Sequence, residues 1–221
     1  MKPIGYLICY AYLFAVIFGV GILKKILGFS IETSRKIIHT LIVFTWVFLY
    51  KFFWNNWQIV IVPISFIIIN ALSYKFKLFK MIERDDNDDN HKGTIYFSIG
   101  ITALMVFALL WPKTIMATGI ATFTLCFGDG PAALFGTMAK KKIHLCNGKT
   151  LQGTISCFLG ALIGIYIFAL IMSYQIPIWV ALILSLATSL LELVGKGLDN
   201  FSILGGVYLI STALIYAGVL A

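Results

Sequence analysis

Long apolar runs constrain the fold of this 221-residue chain more than any other feature, since 60% of its residues are hydrophobic and its mean hydropathy is +0.96. A helix needs about 20 mostly apolar residues to cross a bilayer. By that rule the sequence holds eight candidate spans, at residues 3–23, 37–53, 57–74, 94–111, 113–128, 153–172, 176–195 and 203–221. Such long runs favour helices over a membrane β-barrel, whose strands alternate over about ten residues. We therefore predict an all-α, polytopic integral membrane bundle of about eight transmembrane helices, forming one domain over residues 1–221.

The charged residues predict the orientation of this bundle. Fourteen of the 17 Lys and Arg residues fall in four alternate connecting stretches, at residues 24–36, 75–93, 136–152 and 196–202, and all nine Asp and Glu residues map to the same side. Basic residues in short loops stay cytoplasmic, so we expect these four loops in the cytoplasm and both termini outside. The net charge of +8 then reflects mainly topology, with attraction to anionic lipid headgroups or to nucleotide phosphates as a secondary interpretation, and it implies no nucleic acid partner.

The first polar group lies in "IETSRKIIHT", residues 31–40. On a helix, Glu32, Arg35, Lys36 and His39 form one stripe, because they are spaced at i, i+3, i+4 and i+7. The stripe could be interfacial, with snorkelling bases and a Glu32–Lys36 ion pair. Snorkelling explains His39 poorly, so we favour a functional site in which the basic pair grips phosphates.

The second polar group is the loop "ERDDNDDNHKGT", residues 83–94, which holds four aspartates in five positions. Carboxylate oxygens are ligands that Mg²⁺ prefers. A solvated acidic loop explains the same composition equally well, and the order of an EF-hand loop is absent. The sequence leaves both interpretations open.

The third group is "FGDGPAALFG", residues 127–136, where an aspartate stands between two glycines at the end of an apolar run. A charge at bilayer depth costs roughly 2.5–3.5 kcal/mol on insertion scales, so it calls for a function. Gly128 and Gly130 permit turns, and Pro131 suits the first turn of a new helix. We predict a helix that breaks near Phe127, with Asp129 or Gly130 capping a second segment whose start attracts phosphate. The alternative is that Asp129 is a simple helix cap.

Two further groups lie near the last spans. "NGKTLQGT", residues 147–154, combines an Asn-Gly turn signal with a lysine and two threonines among glycines, a composition suited to phosphates, although it is not a P-loop. "LELVGKGLDNFSI", residues 191–203, contains Glu192, Asp199 and Asn200. Helix termination explains its glycines and Asn200, but it does not explain an acid such as Glu192 inside an apolar run.

Together, "RKIIH", "GDGPAALFG", "GKTLQGT" and "DN" resemble, in this order, motifs of the dolichol kinase, phytol kinase and CTP-dependent diacylglycerol kinase group. These membrane enzymes phosphorylate a lipid alcohol, and their superfamily is similar to the phosphatidate cytidylyltransferases. The resemblance covers residues 32–203 and implies an active site at the cytoplasmic edge. The chain departs from the family at Gln152, where relatives usually have glutamate.

The resemblance implies a role for each matching residue. The expected catalytic residues are Asp129, His39 and Glu192, and a carboxylate or His39 would accept the hydroxyl proton. Mg²⁺ is expected on Asp129 with Asp199 or Glu192. The residues expected to bind the nucleotide or its phosphates are Arg35, Lys36, Gly128, Gly130, Lys149, Thr150, Gly153 and Thr154.

The expected function is γ-phosphate transfer from a nucleotide, CTP by the resemblance, to a polyprenol-, phytol- or diacylglycerol-like lipid alcohol. A cytidylyltransferase would use the same ligands but would attack the α-phosphate. A transporter is the alternative of a different class. Transporters hold their ionisable residues near the bilayer midplane, whereas the ionisable residues here map to one edge.

Overall fold

The computed structural model of the chain describes residues 2–76, 93–139, 141–195 and 198–220, and these form nine α-helices. In chain order the helices are α1 (Lys2–Leu27), α2 (Ile31–Leu41), α3 (Thr45–Phe53), α4 (Ile61–Phe76), α5 (Gly93–Leu110), α6 (Ile115–Met138), α7 (Leu151–Met172), α8 (Ile178–Val194) and α9 (Asp199–Tyr216). No β-strand occurs in these ranges, so the all-α prediction is confirmed for them. The aspartates predicted as possible ligands at 85–89 lie outside the described residues.

Five helical stretches are long and apolar enough to cross a membrane, namely Pro3–Leu27, Ile31–Phe53, Trp57–Phe76, Gly93–Leu110 and Leu151–Met172. They are consistent with an integral membrane protein, as predicted. The second stretch joins α2 to α3 through a 3₁₀ turn and begins before the predicted residue 37. The apolar helix α8 is shorter, with 17 residues. The count of eight spans, the orientation and the cytoplasmic position of the site stay predictions.

The described residues divide into two compact units, Met1–Pro112 and Lys113–Ala221. In the first unit α1 packs on α2 and α3, and α4 packs on α5. Hydrogen bonds join the same helices. Tyr12 of α1 donates its hydroxyl to Leu41 O of α2 at 2.7 Å, and Asn70 Nδ2 of α4 donates to Ser98 Oγ of α5 at 3.0 Å. Interhelical hydrogen bonds and close packing hold membrane helices together, because lipid is as apolar as the side chains. The prediction that residues 1–221 form a single domain stays a prediction.

Helix α6 is the central helix of the second unit, because it packs on α7, α8 and α9. Its side chains are buried on all faces over most of its length, as expected for an inner helix. Thr118, Thr122 and Thr124 lie in this stretch, and each hydroxyl donates to a carbonyl three or four residues earlier. These bonds satisfy the hydroxyls within the helix. Tyr208 of α9 also donates to Thr114 Oγ1, just before α6, at 3.1 Å.

The predicted break of this helix near Phe127 was wrong, because α6 continues through Pro131 to Met138. Proline has no N–H, so the carbonyl four residues earlier, that of Phe127, loses its helical donor. This carbonyl lies against α7 at Gly160, where a Cβ atom would be 2.1 Å from Phe127 O. The absence of a side chain at Gly160 lets α7 pack directly on the turn that contains the proline. Asp129 therefore lies inside a helix and does not cap a new one.

We predict that Gly160→Ala destabilises the second unit by about 1–3 kcal/mol, the usual cost of overpacking, because the new methyl group cannot fit against Phe127 O. Gly205→Ala in α9 is the matched control, since a Cβ atom there meets no described atom within 4 Å. Thermal unfolding of both purified variants in detergent measures the difference. Equal midpoints for the two variants would contradict the close contact of α6 and α7.

Candidate functional site

A short loop between α6 and α7 carries Lys149, and we call residues 143–151 the lysine loop. Two backbone hydrogen bonds, at 2.8 and 2.9 Å, join the two sides of the loop. At its tip Asn147 and Gly148 have φ values of 54° and 74°, in the left-handed region that these two residue types tolerate best. The Asn-Gly turn predicted from the sequence is confirmed.

Asn147 docks the lysine loop on the carboxyl end of α8. Its side-chain amide donates to Leu193 O at 3.2 Å and to Val194 O at 3.5 Å. The last four carbonyls of a helix have no partner within the helix, so this amide caps two of them. The docking holds the backbone of Lys149 beside the end of α8, where Glu192 lies.

Lys149 binds two carboxylates that come from different helices, and we call Lys149, Glu192 and Asp199 the carboxylate–lysine cluster. The Lys149 Nζ donates to Glu192 Oε1 in α8, and it donates to Asp199 Oδ2, at the start of α9, at 2.7 Å. Glu192 is only 4% exposed. The second oxygens, Glu192 Oε2 and Asp199 Oδ1, are buried without a hydrogen-bond partner among the described residues. Within the described residues, each carboxylate therefore has one oxygen that is paired and one that is not.

Gly195 makes room for Asp199 in this cluster. A Cβ atom at Gly195 would lie 2.3 Å from Asp199 Oδ1. The φ of Gly195 is −63°, an ordinary helical value, so the glycine is needed for space and not for its conformation. Helix termination was the role predicted for this glycine from the sequence, and its place beside the carboxylate was not predicted.

Asp129 lies in the same part of the second unit. It is 9% exposed, and it is close enough to Glu192 and Cys157 to interact with them electrostatically. The neighbouring Gly128 lets α6 approach α7, since a Cβ atom there would lie 3.2 Å from Cys157 Sγ. The structure thus brings together four of the acids and bases selected from the sequence, namely Asp129, Lys149, Glu192 and Asp199.

The residues predicted to cradle phosphates already have structural partners. Thr150 is the N-cap of α7, and its Oγ1 accepts a hydrogen bond from Gly153 N–H at 3.2 Å. Thr154 N–H donates to Thr150 O at 2.9 Å. Gly128 and Gly130 are helical residues of α6, not turn residues as expected. Binding of a nucleotide by these residues stays a prediction.

Gln152, which departs from the family pattern, forms hydrogen bonds with the backbone of residues 141–143, where the chain enters the lysine loop. Its Nε2 donates to Lys141 O at 2.7 Å, and its Oε1 accepts from Ile143 N–H at 3.3 Å. A glutamate has no N–H to donate, so it could not reproduce the bond to Lys141. This role was not predicted, and no local sequence signal identifies it.

The predicted basic stripe of the first unit lies on α2. Glu32 forms an ion pair with Arg35, with 3.3 Å between Glu32 Oε2 and Arg35 Nη1. The pair considered from the sequence was Glu32 with Lys36. The ring of His39 packs edge-on against Phe97, with centroids 4.5 Å apart. Phosphate binding by Arg35 and Lys36 and proton transfer by His39 stay predictions.

The described residues contain no group of three His, Cys, Asp or Glu side chains arranged to hold a metal ion. The Mg²⁺ predicted on Asp129 and Asp199 therefore stays a prediction. The two unpaired oxygens of Glu192 and Asp199 do fit a hard cation, since Mg²⁺ prefers carboxylate ligands.

The hydrogen bonds of Lys149 determine its charge state. Burial lowers the pKa of Lys149, but the hydrogen bonds to Asp199 and Glu192 and the charges of these carboxylates together raise it more, so the pKa lies above the ordinary 10.5. Lys149 is therefore a cation throughout the physiological range of pH.

The resemblance to lipid-alcohol kinases rests on the quoted motifs and on the residues that match them. Comparisons of the chain with protein-family models, curated proteins and solved structures found no match. The geometry of the second unit therefore carries the functional argument.

We predict that Lys149→Met destabilises the protein by about 3 kcal/mol, because it leaves Glu192 and Asp199 without their counter-charge. We take the lower end of the range for breaking a buried ion pair because the Lys149 side chain is 25% exposed. Lys142→Met is the matched control, since this lysine is exposed and its loss should change stability by less than about 0.5 kcal/mol. Thermal unfolding in detergent measures both effects.

Wild type and Lys149→Met also differ in how their stability should depend on pH. A raised pKa means that the contribution of Lys149 to stability is complete below its ordinary pKa of 10.5 and is lost as the pH rises above that value. The difference in midpoint between wild type and Lys149→Met should therefore be constant from about pH 8 to about pH 10 and should shrink at higher pH. A difference that shrinks on acidification alone would mean that the carboxylates, not Lys149, dominate the linkage.

Proposed function

We propose that the chain is a lipid-alcohol kinase, which transfers the γ-phosphate of a nucleotide to the hydroxyl of a polyprenol-, phytol- or diacylglycerol-like lipid. CTP is the proposed donor because of the motif resemblance. The observation that carries the proposal is the carboxylate–lysine cluster, in which a lysine and two acids with unpaired buried oxygens meet inside an apolar helical unit. A purely structural ion pair does not need unpaired carboxylate oxygens.

The chemistry of phosphoryl transfer matches these groups. The reaction depends on holding the attacking hydroxyl in line with the transferred phosphate and on neutralising the charge of the phosphates. Lys149 supplies a positive charge next to the two acids, because the docked lysine loop holds its backbone beside α8. A carboxylate at hydrogen-bonding distance from the lipid hydroxyl would accept its proton. Glu192 and Asp129 are the candidates for that role in this unit.

The donor set also suits a divalent cation. Glu192 and Asp199 would hold Mg²⁺ through the oxygens that have no partner within the described ranges, with Asp129 nearby. When bound, Mg²⁺ would offset the charge of the nucleotide phosphates. Gly195 would keep Asp199 in place for this role, since its missing side chain leaves space for the carboxylate.

The position of the cluster suits a reaction between a lipid and a soluble nucleotide. The cluster lies at the end of α8 and the beginning of α9, beside the start of α7. Apolar helices meet water at their ends, so a lipid hydroxyl and a nucleotide would both have access there. The amino-terminal ends of α7 and α9 add partial positive charge, which favours phosphate groups.

A cytidylyltransferase that forms a CDP-lipid is the alternative with the same ligands, because attack would fall on the α-phosphate of the same nucleotide. A transporter would hold its ionisable groups near the bilayer midplane, typically at broken helices. The carboxylate–lysine cluster lies where α8 ends and α9 begins, and the motif resemblance implies a site at the membrane edge, which supports an enzyme.

The experiment measures which phosphate of CTP is transferred to the lipid. Purified protein in detergent receives Mg²⁺, CTP labelled on its α- or γ-phosphate, and a panel of polyprenol, phytol, diacylglycerol and phosphatidate. We expect only the γ label to reach the lipid fraction, and only with an alcohol. Asp129→Asn and Asp199→Asn should each reduce this transfer by about a hundredfold or more, as expected for lost electrostatic stabilisation.

Thr137→Val is the matched control, because Thr137 is an exposed residue of the same helix as Asp129 and donates within that helix. It should transfer the label at the wild-type rate. Transfer of only the α label would establish the cytidylyltransferase. No transfer with either CTP or ATP, from protein that is folded by its unfolding midpoint, would refute an enzyme of this class.

A further inference from the structure

The Lys149 Nζ lies between two carboxylates, and carboxylates are the ligands that a divalent cation prefers. It donates to one oxygen of Glu192 and to one oxygen of Asp199. The other oxygen of each acid is buried and has no hydrogen-bond partner within the described part of the chain. Glu192 as a whole is only 4% exposed, so solvent does not replace the missing partner there. An unpaired buried carboxylate oxygen is costly, so it points to a ligand that completes the site.

Among the residues that the structure describes, Lys149 does not balance the charge of the two acids. When ionised, Glu192 and Asp199 together carry one more charge than the lysine neutralises, and Asp129 lies within electrostatic range of Glu192. A divalent cation would supply the missing charge. No group of three metal-ligand side chains is already in place among the described residues, so a metal would have to rearrange at least one of the present contacts.

The lysine is the member of the cluster that can move with least disruption. Glu192 is in α8 and Asp199 begins α9, so their backbones are held by helices. Lys149 reaches the cluster from a loop through a long side chain that is 25% exposed. Because Asn147 anchors the loop backbone, the ammonium group can leave by side-chain rotation without undocking the loop.

We propose that the Lys149 ammonium group is a tethered counter-ion that exchanges with a divalent cation at Glu192 and Asp199. In the empty site Lys149 holds the two carboxylates together. When the cation enters, the ammonium group leaves the carboxylates and becomes available to an anion. The identity of that anion as a nucleotide phosphate rests on the proposed function; the exchange itself does not.

The exchange has a consequence for binding. A cation that enters alone must displace an ammonium group that has no new partner, so it binds weakly. A cation that enters with a polyphosphate gives the released ammonium group an anionic partner, so metal and polyphosphate bind cooperatively. The lysine therefore weakens metal binding until the phosphates arrive.

The first test measures Mn²⁺ binding by electron paramagnetic resonance, with no nucleotide and no lipid alcohol. We expect Lys149→Met to bind Mn²⁺ at least tenfold more tightly than wild type, because no tethered cation competes. Lys142→Met should bind like wild type, and Glu192→Gln should lose the site. Equal or weaker Mn²⁺ binding by a folded Lys149→Met variant would overturn the proposal.

The second test uses the wild-type chain, so it does not depend on the folding of Lys149→Met. An amine-acylating reagent is applied with and without Mg²⁺, and mass spectrometry measures the labelling of each lysine. Lys149 should become several-fold more reactive when Mg²⁺ releases it, while the exposed Lys142 should not change. Sodium chloride at equal ionic strength is the control. Unchanged labelling of Lys149 at saturating Mg²⁺ would overturn the proposal.

These tests separate the exchange from the proposed function. Neither contains a phosphoryl donor, so the exchange can be established in a chain that transfers no phosphate. Conversely, phosphate transfer by a chain whose Lys149 labelling is independent of Mg²⁺ would retain the kinase and remove the exchange.

Discussion

Burial of charge among apolar helices is the constraint on which the rest of the second unit depends. An isolated carboxylate in such surroundings is strongly unfavourable unless a cation or hydrogen-bond donors compensate it. Here Lys149 provides that compensation for Glu192 and Asp199 together. The lysine must therefore be held at the junction of two helices, which requires the docked loop, its Asn147 anchor and the space left by Gly195. The arrangement of α7, α8 and α9 around their polar ends follows from this requirement.

Close packing of α6 and α7 provides the rigid support for that site. Gly160 and Gly164 in α7 lie against the carbonyls of Phe127 and Phe123 in α6, at distances that no larger side chain would allow. Small residues are how membrane helices gain close contact when lipid offers no hydrophobic driving force. The same contact explains why Pro131 does not end α6: the neighbouring helix packs closely against the turn that has lost a hydrogen bond. Asp129 is thereby held in a continuous helix.

The sequence predicted the helices well and the contacts between them poorly. Apolar length identified the helices, and the Asn-Gly pair identified the turn of the lysine loop, because both signals are local. The break at "GDGP" was predicted wrongly, since the local preferences of glycine and proline were outweighed by packing against Gly160. Lys149 and Glu192 were each selected from the sequence, but they are 43 residues apart in the chain, and no local pattern predicts that they pair.

The acids and the lysine of the site are attached to the fold in different ways. The carboxylates are attached to helices, which fix their positions, whereas the lysine is attached to a loop, which fixes only its backbone. A site in which every charge was fixed would be either permanently neutralised or permanently repulsive. In the exchange that we propose, the tethered lysine would stabilise the two acids and would still leave them available to a stronger cation. The oxygens of Glu192 and Asp199 that have no partner in the described chain would then be further ligands for that cation.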